Sequence, residues 1–130
     1  MSFSYEIKSE VARLDSGRTE NISELSAIIR NVAKIDKSII ITIENSAIAR
    51  RIFKLIKDIY DTTPIITIRK RYNFNKGLSY ILDIKEKNEQ ILKDLSILDE
   101  QGNYLNIPKD YIIEDEEEVR AYLRGLFMCV

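Results

Sequence analysis

The sequence predicts an α/β (α+β) domain in which helices alternate with antiparallel strand pairs. Apolar residues recur at spacings of three and four in several segments, the pattern of helices with one buried face. Two β-branched runs, Ile39-Ile40-Ile41-Thr42-Ile43 and Ile65-Ile66-Thr67-Ile68, each lie close to a short candidate partner strand. The chain has 130 residues, 45% apolar and 32% charged, which suits one folded unit with a core of its own and no need of disulfide or metal staples.

Taken in order, Ser2 or Ser4 caps a first helix reaching about Leu14, with Tyr5, Ile7, Val11 and Leu14 on one face and Gly17 as a left-handed stop. A second helix runs from about Asn21 to Val32 on Ile22, Leu25, Ile28, Ile29 and Val32. Small Ser26 and Ala27 lie between these apolar positions, and Ser23-Glu24 suit the field at the helix start. Ala33 to Asp36 and Ile39 to Ile43 make a first strand pair around Lys37-Ser38. Asn45 or Ser46 caps a third helix to about Tyr60, with Arg50, Arg51, Lys54 and Lys57 on its solvated face. The break Asp61-Thr62-Thr63-Pro64 leads into a hairpin of Ile65 to Tyr72 and Leu78 to Ile84, turned at Asn73-Phe74-Asn75-Lys76-Gly77. A short helix from Asn88 to Leu95, a loop with Gly102 and Pro108, and a last helix from about Glu116 complete the order. The acidic run Glu114 to Glu118 caps that last helix.

Lys+Arg number 20 and Asp+Glu 21, for a net charge of −1 that hides an uneven spread. Residues 28–87 hold 13 basic and 6 acidic groups, while residues 88–130 hold 4 and 10. The middle segment therefore carries a positive field of its own. With no His and one Cys, the chain builds no His-based triad, no Cys/His zinc site and no internal disulfide. Lone Cys129, the absence of a signal-peptide pattern at the start and the lack of an apolar run of about 18 residues lead to the expectation of an intracellular, cytoplasmic protein without membrane contact.

Specific stretches carry a family resemblance. They are Met1 to Glu10, Glu24-Leu25-Ser26-Ala27-Ile28-Ile29-Arg30, Glu44-Asn45-Ser46-Ala47-Ile48-Ala49-Arg50-Arg51-Ile52, Tyr80 to Glu86 and Tyr122-Leu123-Arg124-Gly125. Together they resemble WhiA, a family of bacterial sporulation and cell-division regulators. The order of elements is similar to one αββαββα half of a LAGLIDADG homing-endonuclease domain, with an extra N-terminal helix and a C-terminal helix. Tyr122 to Met128 also echoes Glu24 to Arg30. The resemblance implies a first half over residues 1–112 and the start of a second motif helix over 113–130, with the family's helix-turn-helix domain lying outside the chain.

What it implies for function is DNA binding and transcription regulation without catalysis. Cleaving members of the fold hold divalent metal with an acid near the end of each motif helix, and here Val32 and Val130 fall at those positions, where neither ligates a metal. No catalytic residue, metal, cofactor or small-molecule substrate is therefore expected. Asp36, beyond the helix, is a poor substitute ligand. The candidate DNA contacts are Arg69, Lys70, Arg71, Asn73 and Lys76, a dense cationic stretch with interleaved aromatics. Leu25, Ser26, Ala27, Leu123 and Gly125 are the candidate helix–helix interface, within the chain or in a homodimer formed through the motif helix. An active endonuclease and a protein-interaction module without DNA affinity are the rival readings.

Overall fold

A computed structural model describes residues 5–8, 17–72 and 77–129. Residues 5–8 are helical; the rest of the first expected helix and the turn at Asn73 to Lys76 lie outside the described residues. The element order is α1 (Arg18–Val32), β1 (Lys34–Ile35), β2 (Ile39–Ile43), α2 (Ser46–Tyr60), β3 (Ile65–Arg71), β4 (Gly77–Ile84), α3 (Asn88–Asp94), a 3-10 turn (Asp110–Ile112) and α4 (Glu116–Cys129).

The α1 helix begins earlier than the apolar spacing suggests. Gly17 is its N-cap, not a left-handed stop, and has extended backbone at φ −73°. Glu20 reaches back to accept from the Gly17 N–H, which extends the helix by a turn before its first apolar residue. At α2 the Asn45 side chain accepts from the Ala47 and Ile48 N–H groups at 2.9 and 3.2 Å. The left-handed Asp61 closes that helix. Asp115 and Glu118 cap α4 reciprocally: the Glu118 N–H donates to Asp115 Oδ1 at 2.8 Å, and the Asp115 N–H donates to Glu118 Oε1 at 3.2 Å. The acidic run thus supplies one specific cap, while Glu116 pairs with exposed Arg120.

The four strands form one antiparallel sheet in the order β1-β2-β4-β3. Ile39, Ile41 and Ile43 pair with Ile84, Leu82 and Tyr80, so these residues share the face on which the helices pack. Leu25, Ile28 and Ile29 of α1 and Ile48, Ile52 and Ile56 of α2 close the core over them. Fully burying each such aliphatic side chain contributes roughly 1.5–3 kcal/mol. The core stops short of the outer strand. All of β3 except Arg71 is exposed, including Ile66 and Ile68, because among the described residues no helix packs over it. Their alternation with Thr67 and Arg69 marks a strand, but not a buried one.

The polar side of α1 holds down the loop between α3 and α4. The Ser23 hydroxyl donates to Ile112 O at 2.5 Å and that of Ser26 to Leu95 O at 2.6 Å. The Arg30 guanidinium donates to Leu105 O and Ser96 O. Tyr60 ties α3 to α2 by donating to Asp94 Oδ2 at 2.6 Å. These donors satisfy carbonyls that a buried loop would otherwise leave unpaired. Replacing Asn45 by Ala removes the acceptor for two N–H groups at the start of α2. Urea unfolding should show a loss of about 1 kcal/mol with an unchanged m-value.

Candidate nucleic-acid interface and helix seam

The α1–α4 seam is the closest helix approach in the structure. At Gly125 an added Cβ would stand 2.5 Å from the Glu24 carbonyl oxygen and 3.0 Å from Ala27 Cβ. Only glycine permits that backbone contact. Ala27 and Gly125 therefore meet, while the other residues expected at the seam are placed elsewhere. Leu25 is buried in the sheet-facing core, and Ser26 faces Leu95. Leu123 is 57% exposed, on the outer face of α4 with Val119 and Phe127. The inner face of α4 is instead Glu118, Ala121, Gly125 and Met128. Helical geometry explains the difference, because Leu123 lies two residues from Gly125 and hence on the opposite side.

Glu24, expected with Ser23 to suit the field at a helix start, lies instead well inside α1, which begins at Arg18, and organises this seam. The Glu24 side chain is fully buried. Arg51 of α2 donates to it from Nε at 2.5 Å and from Nη2 at 2.9 Å, and Arg124 of α4 donates from Nε at 2.6 Å. Arg51 therefore does not belong to the solvated face of α2, whereas Arg50, Lys54 and Lys57 are exposed. Fork-shaped contact with a carboxylate is the geometry guanidinium groups favour. No local sequence signal marks the pair: Arg51 is followed by buried Ile52, then half-buried Phe53 and exposed Lys54, as a residue on a solvated face would be.

The hairpin places the cationic run on two faces. Arg69 pairs with Ser79 and Arg71 with Gly77, which puts both arginines on the helix-free face with Thr67. Lys70 pairs with Leu78 and projects from the opposite face. Three consecutive cations on a strand cannot share one side. The Arg71 guanidinium lies across Gly77, whose added Cβ would stand 2.4 Å from Nη2, and it pairs with Glu44 Oε1 at 3.0 Å. Lys34, opposite Ile40, adds a cation to the helix-free face, and Lys85 stands 3.8 Å from Asp83 there. The face is thus mixed in charge and not uniformly basic, and among the described residues Arg69 makes no ion pair. Asn73 and Lys76 lie outside the described residues.

The ends of α1 and α4 converge on a shallow cavity of about 440 Å³ lined by Val32, Ile43, Glu44, Asn45, Met128 and Cys129, among others. Val32, at the end of α1, brings an apolar side chain to this cavity, and Val130 lies outside the described residues. Asp36 is exposed in the β1–β2 turn. Among the described residues no cluster of three His, Cys, Asp or Glu side chains is positioned to hold a metal ion. Burial pushes the Cys129 thiol up to about 11, which keeps it protonated in neutral solution. Iodoacetamide should alkylate folded Cys129 with a pH midpoint about two units above that of the unfolded chain. The same shift makes stability fall between about pH 9 and 11, where the unfolded thiol has lost its proton and the folded one has not.

Replacing Glu24 by Gln leaves two guanidinium groups facing an uncharged amide. Denaturant titration should show a loss of about 3–5 kcal/mol. A Glu24→Met, Arg51→Met, Arg124→Met triple variant should recover most of it.

Residues 18–98 match the family described as "WhiA N-terminal LAGLIDADG-like domain". The probable cell division protein WhiA of Ligilactobacillus salivarius is 34% identical over 99% of the chain and 42% of its own length. The corresponding protein of Bacillus mycoides is 37% identical over the same shares. The chain thus spans about two-fifths of the length of these curated relatives. Among solved structures, the N-terminal LAGLIDADG domain of DUF199/WhiA aligns with 98% of the chain and 57% of its own, at TM-score 0.67 and 23% identity. Full-length DUF199/WhiA from Thermatoga maritima aligns with 98% of the chain and 39% of its own, at TM-score 0.65 and 22% identity. At those identities the structures show a shared fold, and with it the antiparallel sheet and packed helices described above. The sequence matches establish the relationship more specifically: the chain belongs to the WhiA family, in its LAGLIDADG-like N-terminal region.

Proposed function

We propose that the chain is the non-cleaving, DNA-contacting N-terminal part of a WhiA-type transcription regulator of sporulation and cell division that works at the nucleoid. The observation that carries this reading is Arg69, without an ion pair among the described residues, on the helix-free face of the sheet with Arg71 two residues along the same strand, and Lys34 on that face at the far edge. A twisted antiparallel face that projects guanidinium groups from adjacent positions suits phosphates along a groove. Its charge is modest, so the contact is weak and positions the protein without reading sequence. Sequence reading belongs to the helix-turn-helix domain that the family carries. Asn73 and Lys76 extend the same contact in this proposal.

Val32 supports the non-cleaving part of the reading. A metal-dependent nuclease needs oxygen ligands at the foot of both motif helices, and an isopropyl group offers none. We assign residues 1–112 to the first LAGLIDADG-like half and 113–130 to the opening of a second. The outer stripe Val119, Leu123 and Phe127 supports that division, since a second sheet in a protein of the relatives' length would cover it. Within the chain α4 already occupies the close-packing face of α1, so homodimerisation would proceed through this outer stripe.

The test is anisotropy of a labelled 30-base-pair duplex across a salt series. Arg69→Ala should flatten the plot of log K against log salt by about one unit. Glu44→Gln, which frees Arg71, should strengthen binding several-fold at low salt. Equal salt slopes for the wild type and the Arg69→Ala, Arg71→Ala double variant would remove the DNA reading. Metal-dependent nicking of plasmid by the chain with Mg²⁺ would replace it with an enzymatic one.

A further inference from the structure

The β3–β4 hairpin carries a second, apolar surface on the side of the sheet opposite the proposed DNA contact. On the helix side of the sheet Ile66 and Ile68 of β3 are 42% and 59% exposed, and Leu78 of β4 lies beside them at 39%. Among the described residues β3 has β4 as its one neighbour in the sheet, so one row of its backbone N–H and C=O groups faces outward. Arg51 points from α2 toward α1, and helical spacing puts Phe53 and Lys57 on the opposite flank of the helix. Phe53 is half-buried against the core and Lys57 is exposed.

We propose that this strip docks an extended acidic segment of a partner protein. The segment pairs its backbone with β3 as a fifth strand and lays alternate apolar side chains on Ile66 and Ile68. Charge selects this occupant. Lys70 closes one end of the apolar floor, and Arg69 stands at the same end of the strand on the other face, so carboxylates toward that end of the segment find cations on both sides. A second copy of β3 would bring Arg69, Lys70 and Arg71 again and no acid, so it does not complement the strip. The long exposed edge is otherwise protected from nonspecific pairing by those same cations.

The probe is a displayed library of random twelve-residue peptides, selected on the immobilised 130-residue chain and counter-selected on an Ile68→Thr, Lys70→Glu variant. Both substitutions fall on exposed positions and keep strand-compatible side chains. Selection should enrich peptides that alternate apolar residues and carry acids toward one end. A synthetic copy of the most enriched peptide should lose about tenfold in affinity to Ile68→Thr. N-methylation of its backbone should abolish binding in one of the two alternating phases and spare it in the other. The proposal is overturned by three outcomes: no enrichment over the counter-selection; enriched peptides that lack acids or tolerate N-methylation in both phases; or sedimentation showing a dimer that Ile68→Thr dissociates, which would make a second copy the occupant. Duplex DNA affinity should be unchanged in Ile68→Thr. A matching loss there would give the strip to nucleic acid and overturn protein docking while leaving the DNA reading in place.

Discussion

Everything in this structure is arranged around one carboxylate that has no access to water. Glu24 sits on the central helix, and its two guanidinium partners come from the helices on either side. A lone buried charge would cost several kcal/mol, so the site holds only when Arg51 and Arg124 are both brought to it. That requirement fixes the rotation of α2 and α4 about α1. With Arg51 turned inward, the Ile48, Ile52 and Ile56 stripe must fall on the sheet. With Arg124 turned inward, Gly125 must meet the backbone at Glu24 and Leu123 must face out. Apolar burial supplies most of the free energy, but it is non-directional; the ion cluster selects among the rotations that apolar stripes alone would tolerate.

Much of the fold was legible because local signals and burial agreed. The Ile39 to Ile43 run, the Asn45 cap and the break at Pro64 each act through one or two neighbouring residues. The site was less legible, for reasons of long-range geometry. Glu24 and Arg51 look like ordinary surface charges until three helices are assembled. The role of Ser26 depends on a carbonyl 69 residues away. Leu123 followed a sequence echo of α1, yet the two helices present different faces to their shared seam. Gly17 was read as an end when Glu20, three residues on, makes it a beginning.

The hairpin shows how a strand divides what composition gathers. Arg69, Lys70 and Arg71 read as one patch, but pleating sends the middle residue to the other side and Glu44 engages the last. The same division leaves Ile66 and Ile68 on a face that α2 does not reach. One hairpin therefore exposes a cationic surface and an apolar one back to back, with different partner chemistry on each.

The distance along the chain between Glu24 and its partners sets an order of events during synthesis. Arg51 follows Glu24 by 27 residues and Arg124 by 100. At roughly 5–20 residues per second, the ribosome supplies the second guanidinium some 5–20 s after the carboxylate. In that interval α1, the sheet and α2 have all been made, and the Gly125 seam stays open over a half-neutralised charge. The nascent domain is thus complete in its strands but unlatched, with its central helix open to any cationic surface that arrives before α4.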